Sequence, residues 1–195
     1  PINWAIINGE TKTGVSTFFI DDKIDTGDMI LQETIEIDSN ENAGNLHDKL
    51  MSSGSQLVLK TVKSIEKDKV KANPQKEPKA IKTAYKLNRD NCKINWNDSI
   101  ENIYNRIRGL SPYPAAWCTL INGDDELDIK IYKVEKEFDS HSLEPGTIIA
   151  SKKELKVAVT NGYIIMEEIK LPGKRAMDVK SLLNGYAFHE NAKML

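Results

Sequence analysis

The sequence predicts an α/β unit followed by a β-rich unit, and three observations carry that reading. Residues 14–31 run as a β-branched and aromatic stretch, a short polar loop, the carboxylate turn Asp25-Thr26-Gly27-Asp28 and a second apolar stretch, the pattern of two strands joined at a polar loop. Leu46, Leu50, Leu57, Val58, Val62 and Ile65 then recur at helical spacing, so a helix packs one face on that sheet. Finally, five short β-favouring runs, 116–121, 127–134, 147–151, 155–159 and 163–169, are separated by Asn122-Gly123, Pro145-Gly146 and Asn161-Gly162. Short strands punctuated by turn-forming pairs suggest a small, partly open β-barrel or a sandwich.

Taken in order, residues 2–8 read as a short helix ended by Gly9, 15–20 as the first strand and 29–37 as the second. Ser39 and Asn40 can cap the long helix, which Gly54 is expected to kink or loosen. From 71 to about 89 the periodicity fails, and Pro74, Pro78 and several lysines mark an extended linker with nothing to bury a core. The second unit opens on a helix with Asp98 at the capping position, Glu101 three residues later, and Ile100, Ile103, Tyr104 and Ile107 on one face. Arg106 and Arg108 flank that stripe and are expected near solvent. A last helix over 178–183 stops at Asn184-Gly185. The resulting division is 1–71, a linker over 72–89, and 90–195.

A chain of 195 residues with 39% hydrophobic and 29% charged content has the composition of an ordinary soluble domain or pair of domains. No apolar run approaches the ~20 residues needed to cross a bilayer, which predicts a cytoplasmic protein without a membrane partner. Cys92 and Cys118 stand apart without Cys or His companions, the pattern of reduced structural thiols and not of a metal site or disulfide framework. A net charge of -2 does not advertise nucleic-acid binding. Charge is segregated, however, with Lys67, Lys69, Lys71, Lys76, Lys79, Lys82, Lys86 and Lys93 in one segment and acids at Asp21-Asp22, 33–41 and 124–128. Such segregation lets one face meet RNA while another repels it. On charge alone, a solvated lysine-rich linker is the favoured reading.

The loop between the first two strands puts one carboxyl group, Asp25, at a mouth where a rigid sheet holds the chemistry-bearing loop. By itself Asp-Thr-Gly-Asp is more often a plain turn. Its surroundings change the balance. The run Pro1-Ile2-Asn3-Trp4 through Val15 and on to about Leu31, then Ile94-Asn95-Trp96, the word from Arg106-Ile107-Arg108-Gly109 through Ser111-Pro112-Tyr113-Pro114 to Trp117, and Gly173-Lys174-Arg175-Ala176-Met177, occur in the order found in one family. The chain closely resembles methionyl-tRNA formyltransferases over nearly its whole length. That resemblance implies the carboxy-terminal part of a formyltransferase-type doubly wound domain followed by an oligonucleotide-binding-like small β-barrel. In the family a longer amino-terminal part supplies an Asn-x-His pair that activates the formyl group. A chain starting at Pro1 is therefore expected to be the carboxy-terminal portion of a longer enzyme, a fragment inactive alone. Asn45-Leu46-His47 has that spacing but follows Asp25 on a helix-like stretch, and is rejected as the pair.

The activity implied by the resemblance is transfer of a formyl group from 10-formyltetrahydrofolate to the amino group of methionyl initiator tRNA, the opening step of translation. The family match assigns Asp25 as the catalytic carboxylate beside the histidine. Ile20, Asp21, Asp22, Lys23 and Ile24 fall where related folate pockets hold the pterin by backbone groups. Lys86, Arg106, Arg108, Lys174 and Arg175 fall in the basic words that would meet tRNA. Folate is a cosubstrate, no tightly bound cofactor or metal is implied, and a monomer is expected. Asp28 is read as structural, bonded to neighbouring amides. Trp96, Trp117 and Tyr113 are read as core or corner packing, and Arg106 and Arg108 singly fit a salt-bridged helix face about as well as RNA. The rivals are a formyltransferase acting on a sugar-nucleotide amine, a formyltetrahydrofolate hydrolase, and a non-catalytic tRNA-binding module.

Overall fold

The computed structural model describes residues 1–75 and 82–195, so Lys76, Pro78 and Lys79 of the expected linker lie outside the described residues. Helix α1 (Ile2–Ile7) leads through Gly9, at φ +69°, into strand β1 (Lys12–Phe18), which pairs antiparallel with β2 (Met29–Glu36), Lys12 opposite Glu36. Helix α2 (Ala43–Glu66) packs on this hairpin. Its cap is Asn42, not Ser39 or Asn40: Asn42 Oδ1 accepts from the Asn45 amide at 2.9 Å, and the Asn45 side chain accepts from the Asn42 amide at 3.4 Å. Two otherwise orphaned N–H groups are satisfied reciprocally, which fixes where the helix begins. The helix is continuous through Gly54, where a Cβ would make ordinary contact with Val15 at 3.7 Å.

Leu46, Leu50 and Leu57 are buried as the spacing predicts, and Thr61 joins them, its hydroxyl 2.8 Å from that of Thr17 on β1. Val58, Val62 and Ile65 do not pack on the sheet. Together with Met51 and Leu59 they are 45–62% exposed. The strands described in this region are one antiparallel pair, extended by a bridge in which Met29 and Asn73 exchange backbone bonds of 2.8 and 2.9 Å. Parallel strands of a doubly wound sheet are not among the described residues of this region.

Beyond the linker a single 3-10 turn at Asp90–Cys92 precedes α3 (Ile100–Leu110). Its cap sits one residue later than expected, at Ser99, whose hydroxyl accepts from the Asn102 amide at 3.2 Å, while Asp98 accepts from the Ser99 amide and the Asn102 side chain. Ile100, Ile103, Tyr104 and Ile107 are buried on one face. Strands β3 (Ala116–Asn122), β4 (Asp125–Phe138), β5 (Ile148–Ala150), β6 (Leu155–Val159) and β7 (Gly162–Lys170) follow. Two short strands escaped the sequence: β8 (Met177–Asp178), just before α4 (Val179–Leu183), and β9 (Lys193–Met194).

The sheet order is β5-β6-β7-β4-β3-β9, with β8 beside β7. Its edges meet where Thr147 bridges to Lys193 and the Met194 amide donates to the Gly146 carbonyl at 2.9 Å, so the sheet is a nearly closed barrel of seven strands rather than five. Closure leaves few unpaired edge groups. The core inside it takes in Ile107, Leu120, Ile131, Leu155, Ile164, Ile169 and the thiols of Cys92 and Cys118. Burial pushes both thiols above their ordinary pKa, Cys118 the further of the two, in keeping with inert structural cysteines. Helix α1 lies between the two cores, Ile6 facing the small one and Ile7 the large one. It crosses α3 closely at Gly109, where a Cβ would stand 2.7 Å from Ile7 Cγ1.

Candidate functional site

The loop from Phe19 to Asp28 is held by one backbone bond at its neck and by side chains of Asp21, Thr26 and Gln75. The Phe19 amide donates to the Asp28 carbonyl at 3.0 Å and closes its neck. Within it, the Asp21 carboxylate accepts from the Lys23 amide at 3.0 Å and from the Thr26 hydroxyl at 2.8 and 2.9 Å, the local bonding by which Asp shapes a turn. Gly27 is buried, and a Cβ there would lie 1.6 Å from the Phe19 carbonyl oxygen, so the close approach of the two chain segments requires glycine. From outside the loop, Gln75 Nε2 donates to the carbonyls of both Asp25 (2.9 Å) and Gly27 (2.8 Å). This clamp comes from 50 residues along the chain, and no sequence signal marked Gln75.

The clamp leaves Asp25 in the left-handed region at φ +56°, exposed at the loop tip. Asp21, Asp22 and Lys23 are also exposed, and Ile20 and Ile24 are 93% and 91% exposed. Among the described residues the backbone N–H groups of Ile20, Asp22 and Ile24 have no partner, and neither does the Asp25 carboxylate. Asp28 differs from expectation. Its side chain accepts from no amide among the described residues, and only its carbonyl is engaged, by Phe19. His47 is exposed beside Asp48, and Asn45 is occupied in the α2 cap, which accounts for the Asn-x-His spacing there.

The expected RNA residues fall into two places. Lys86 is exposed, and its carbonyl accepts from Asn91 Nδ2 at 2.9 Å, while Arg106 Nη1 donates to the Asn91 carbonyl at 2.6 Å, so one asparagine brings Lys86 and Arg106 together. Lys174 and Arg175 are exposed on the turn after β7. Arg108 is not near solvent as expected but half-buried. It donates to the carbonyls of Asp38 (3.2 Å) and Glu41 (2.8 Å) and to Asn105 Oδ1 (2.9 Å), a strut between α3 and the turn before α2, and desolvation lowers its pKa. Of the aromatic residues read as packing, Trp96 is buried, Trp117 is half-buried, and Tyr113 is 82% exposed. Among the described residues no group of three His, Cys, Asp or Glu side chains is placed to hold a metal, and no helix is long and apolar enough to cross a membrane.

The chain thus joins an exposed loop on a two-stranded hairpin to a nearly closed barrel. Comparison with known proteins gives it a family. The model described as Formyl transferase, C-terminal domain, matches residues 86–187, and that described as Formyl transferase matches residues 1–62. The chain belongs to the formyl transferase family. A methionyl-tRNA formyltransferase of Flavobacterium johnsoniae is 57% identical over 194 residues, covering 100% of this chain and 62% of the relative. One of Bacteroides fragilis is 43% identical over 199 residues, covering 100% and 61%. The chain thus spans about three-fifths of the length of these curated relatives. Among solved structures, a HypX variant from Aquifex aeolicus superposes with TM-score 0.69 at 17% identity, covering 96% of this chain and 34% of that one. An N-formyltransferase from Helicobacter canadensis, in complex with folinic acid and dTDP-3-aminofucose, superposes with TM-score 0.62 at 24% identity, covering 85% and 59%. At those identities the likeness is one of fold.

Proposed function

We propose that the complete protein to which this chain corresponds transfers a formyl group from 10-formyltetrahydrofolate to the amino group of methionyl initiator tRNA. The observation that carries this reading is that identity to relatives bearing that name, 57% in one case, runs through the whole chain, loop and barrel alike. The reaction needs a neutral amine to attack the formyl carbon, donors for the developing oxyanion, and a route for protons from the amine to the departing folate nitrogen. In this chain Asp25 is the carboxylate for that route. Set beside an imidazole contributed by the preceding part of the protein, it favours the imidazolium and orders a water for proton transfer.

The segment from Ile20 to Ile24 suits folate on two counts. Its free N–H groups offer backbone hydrogen bonds to a pterin, and Ile20 and Ile24 offer apolar side chains to the flat ring. Exposure of the whole loop, and of the Met51–Val58–Val62–Ile65 stripe of α2, fits a preceding half that encloses the site. Lys86, Lys174 and Arg175 are free to reach phosphates of tRNA. Arg106 and Arg108 chiefly hold the frame and keep only their remaining N–H groups for RNA. In this reading the barrel of 90–195 works as an oligonucleotide-binding-like tRNA domain joined by the 72–89 linker to 1–71, and the enzyme is a cytoplasmic monomer. The sugar-nucleotide rival rests on fold likeness alone.

The test joins the preceding half to this chain and compares Asp25→Asn with the parent. Formylation of methionyl-tRNA is expected to fall about 100-fold or more with the fold retained. Near-normal turnover would remove Asp25 from the mechanism.

A further inference from the structure

One rung of the barrel carries an unusual line of side chains. Lys93 bridges to Trp117 on β3, Trp117 is paired with Lys130 on β4, and Lys130 is paired with Lys170 on β7. Direct cross-strand partners share a face, so three lysines stand side by side with Trp117, which is half-buried and also packs against the core. The Trp117 ring has Lys93 Nζ 5.3 Å from its centroid and the Arg89 guanidinium stacked at 3.9 Å, while its Nε1 donates to the Arg89 carbonyl at 2.7 Å, which fixes the plane of the indole. Beside the ring opens a cavity of about 340 Å³, lined by Leu87, Pro114, Ile129 and Lys130 as well as Arg89 and Trp117. That is room for a small planar group.

The electrostatics of the rung point outward. Arg89 is paired with Asp128, which also accepts from the Thr119 hydroxyl at 3.0 Å. Lys130 reaches only the Pro114 carbonyl, at 3.1 Å. Among the described residues Lys93, Lys130 and Lys170 have no carboxylate partner, although the chain as a whole is slightly acidic. Like charges directly opposite one another in a sheet are destabilising, so the Lys130–Lys170 pair is a local conflict that folding alone does not account for. An anion laid across the rung resolves it.

We propose that this rung is a binding surface for an unpaired stretch of RNA: one base stacks on Trp117, and Lys93, Lys130 and Lys170 take the flanking phosphates. The Arg89 guanidinium lies over the ring and is bonded to Asp128, so a base that stacks on Trp117 takes its place by opening that ion pair. An unpaired strand is specified because stacking on a side chain needs a base free of its own helix, and a row of cations beside one aromatic plane matches the alternation of phosphate and base. Identification of the RNA as part of a transfer RNA rests on the function proposed above. The stacking surface itself does not, and it involves none of the basic residues assigned from the sequence motifs.

The test titrates the 195-residue chain with an unstructured RNA hexanucleotide, following tryptophan fluorescence and the salt dependence of binding. Saturable quenching is expected, with affinity falling about tenfold in Trp117→Leu and largely kept in Trp117→Phe, which can still stack. Lys130→Gln with Lys170→Gln, both changes on the surface, is expected to lower the log–log salt slope by about 0.7 for each phosphate contact removed. Binding that is unchanged in both the Trp117→Leu and the double-lysine variants, or absent in the parent, overturns the proposal. So does quenching by inorganic phosphate or a mononucleotide at the same concentration as the hexanucleotide. If the protein joined to its preceding half fails to formylate methionyl-tRNA while the hexanucleotide still quenches Trp117, the proposed function falls and the RNA surface stands. If formylation proceeds with a tRNA KM indifferent to all these variants, the identification of the RNA as transfer RNA falls and the function stands.

Discussion

Residues 1–66 and residues 90–195 carry comparable apolar periodicity but bury it to very different extents. The barrel and its helices enclose a core cluster of 27 buried residues, whereas the hairpin and α2 share one of five. In α2 the two faces of one helix already differ: Leu46, Leu50, Leu57 and Thr61 are buried, while Met51, Val58, Val62 and Ile65 face outward. The difference teaches that helical spacing shows a face is built to be covered, and says nothing about which element covers it. The second region closes on itself because its sheet edges meet at Thr147 and Lys193, and the first has no such closure among the described residues.

Three experiments would sharpen or break this contrast. The largest effect is expected in the barrel, where Ile164→Ala removes side-chain atoms from a fully buried site. It should lower unfolding free energy in urea by about 2–5 kcal/mol, whereas Leu46→Ala at the thinner core should cost less than half as much. Equal losses at the two positions would show that the regions are equally well packed. Next in size is Arg108→Ala, which strips partners from the Asp38 and Glu41 carbonyls and so loosens the joint between the regions. A stability loss of about 1–3 kcal/mol is expected, and an unmoved urea midpoint would return Arg108 to the solvent-facing role its spacing suggested. The smallest effect belongs to Val62→Ser with Ile65→Ser. In this chain the change should stay within about 0.5 kcal/mol, and in a protein carrying the preceding half it should cost several times more. A large loss in the chain alone would mean that the stripe is already covered.

Much of the second region was legible because its signals are local. The strand at 155–159 matches residue for residue, and the apolar face of α3 follows from spacing alone. The two-residue strands β8 and β9 were not, since two residues have no period to detect and they exist only by pairing with β7 and β3. Asp25 could be singled out from its word, but not the Gln75 clamp that sets its backbone, nor the loss of any amide partner for Asp28. Tyr113 was misjudged because an aromatic residue between prolines carries no mark of which side of the chain it faces.

By itself the sequence determined the longer helices and strands and most of the turns between them, and that Cys92 and Cys118 stand apart as buried thiols, because each depends on neighbours a few residues apart. Tertiary structure alone decided that the barrel closes through β9, that Arg108 becomes a strut, and that Lys93, Trp117, Lys130 and Lys170 share one rung. Those outcomes join residues tens of positions apart, and the packing of a whole core, not any local preference, selects among the registers that could have formed.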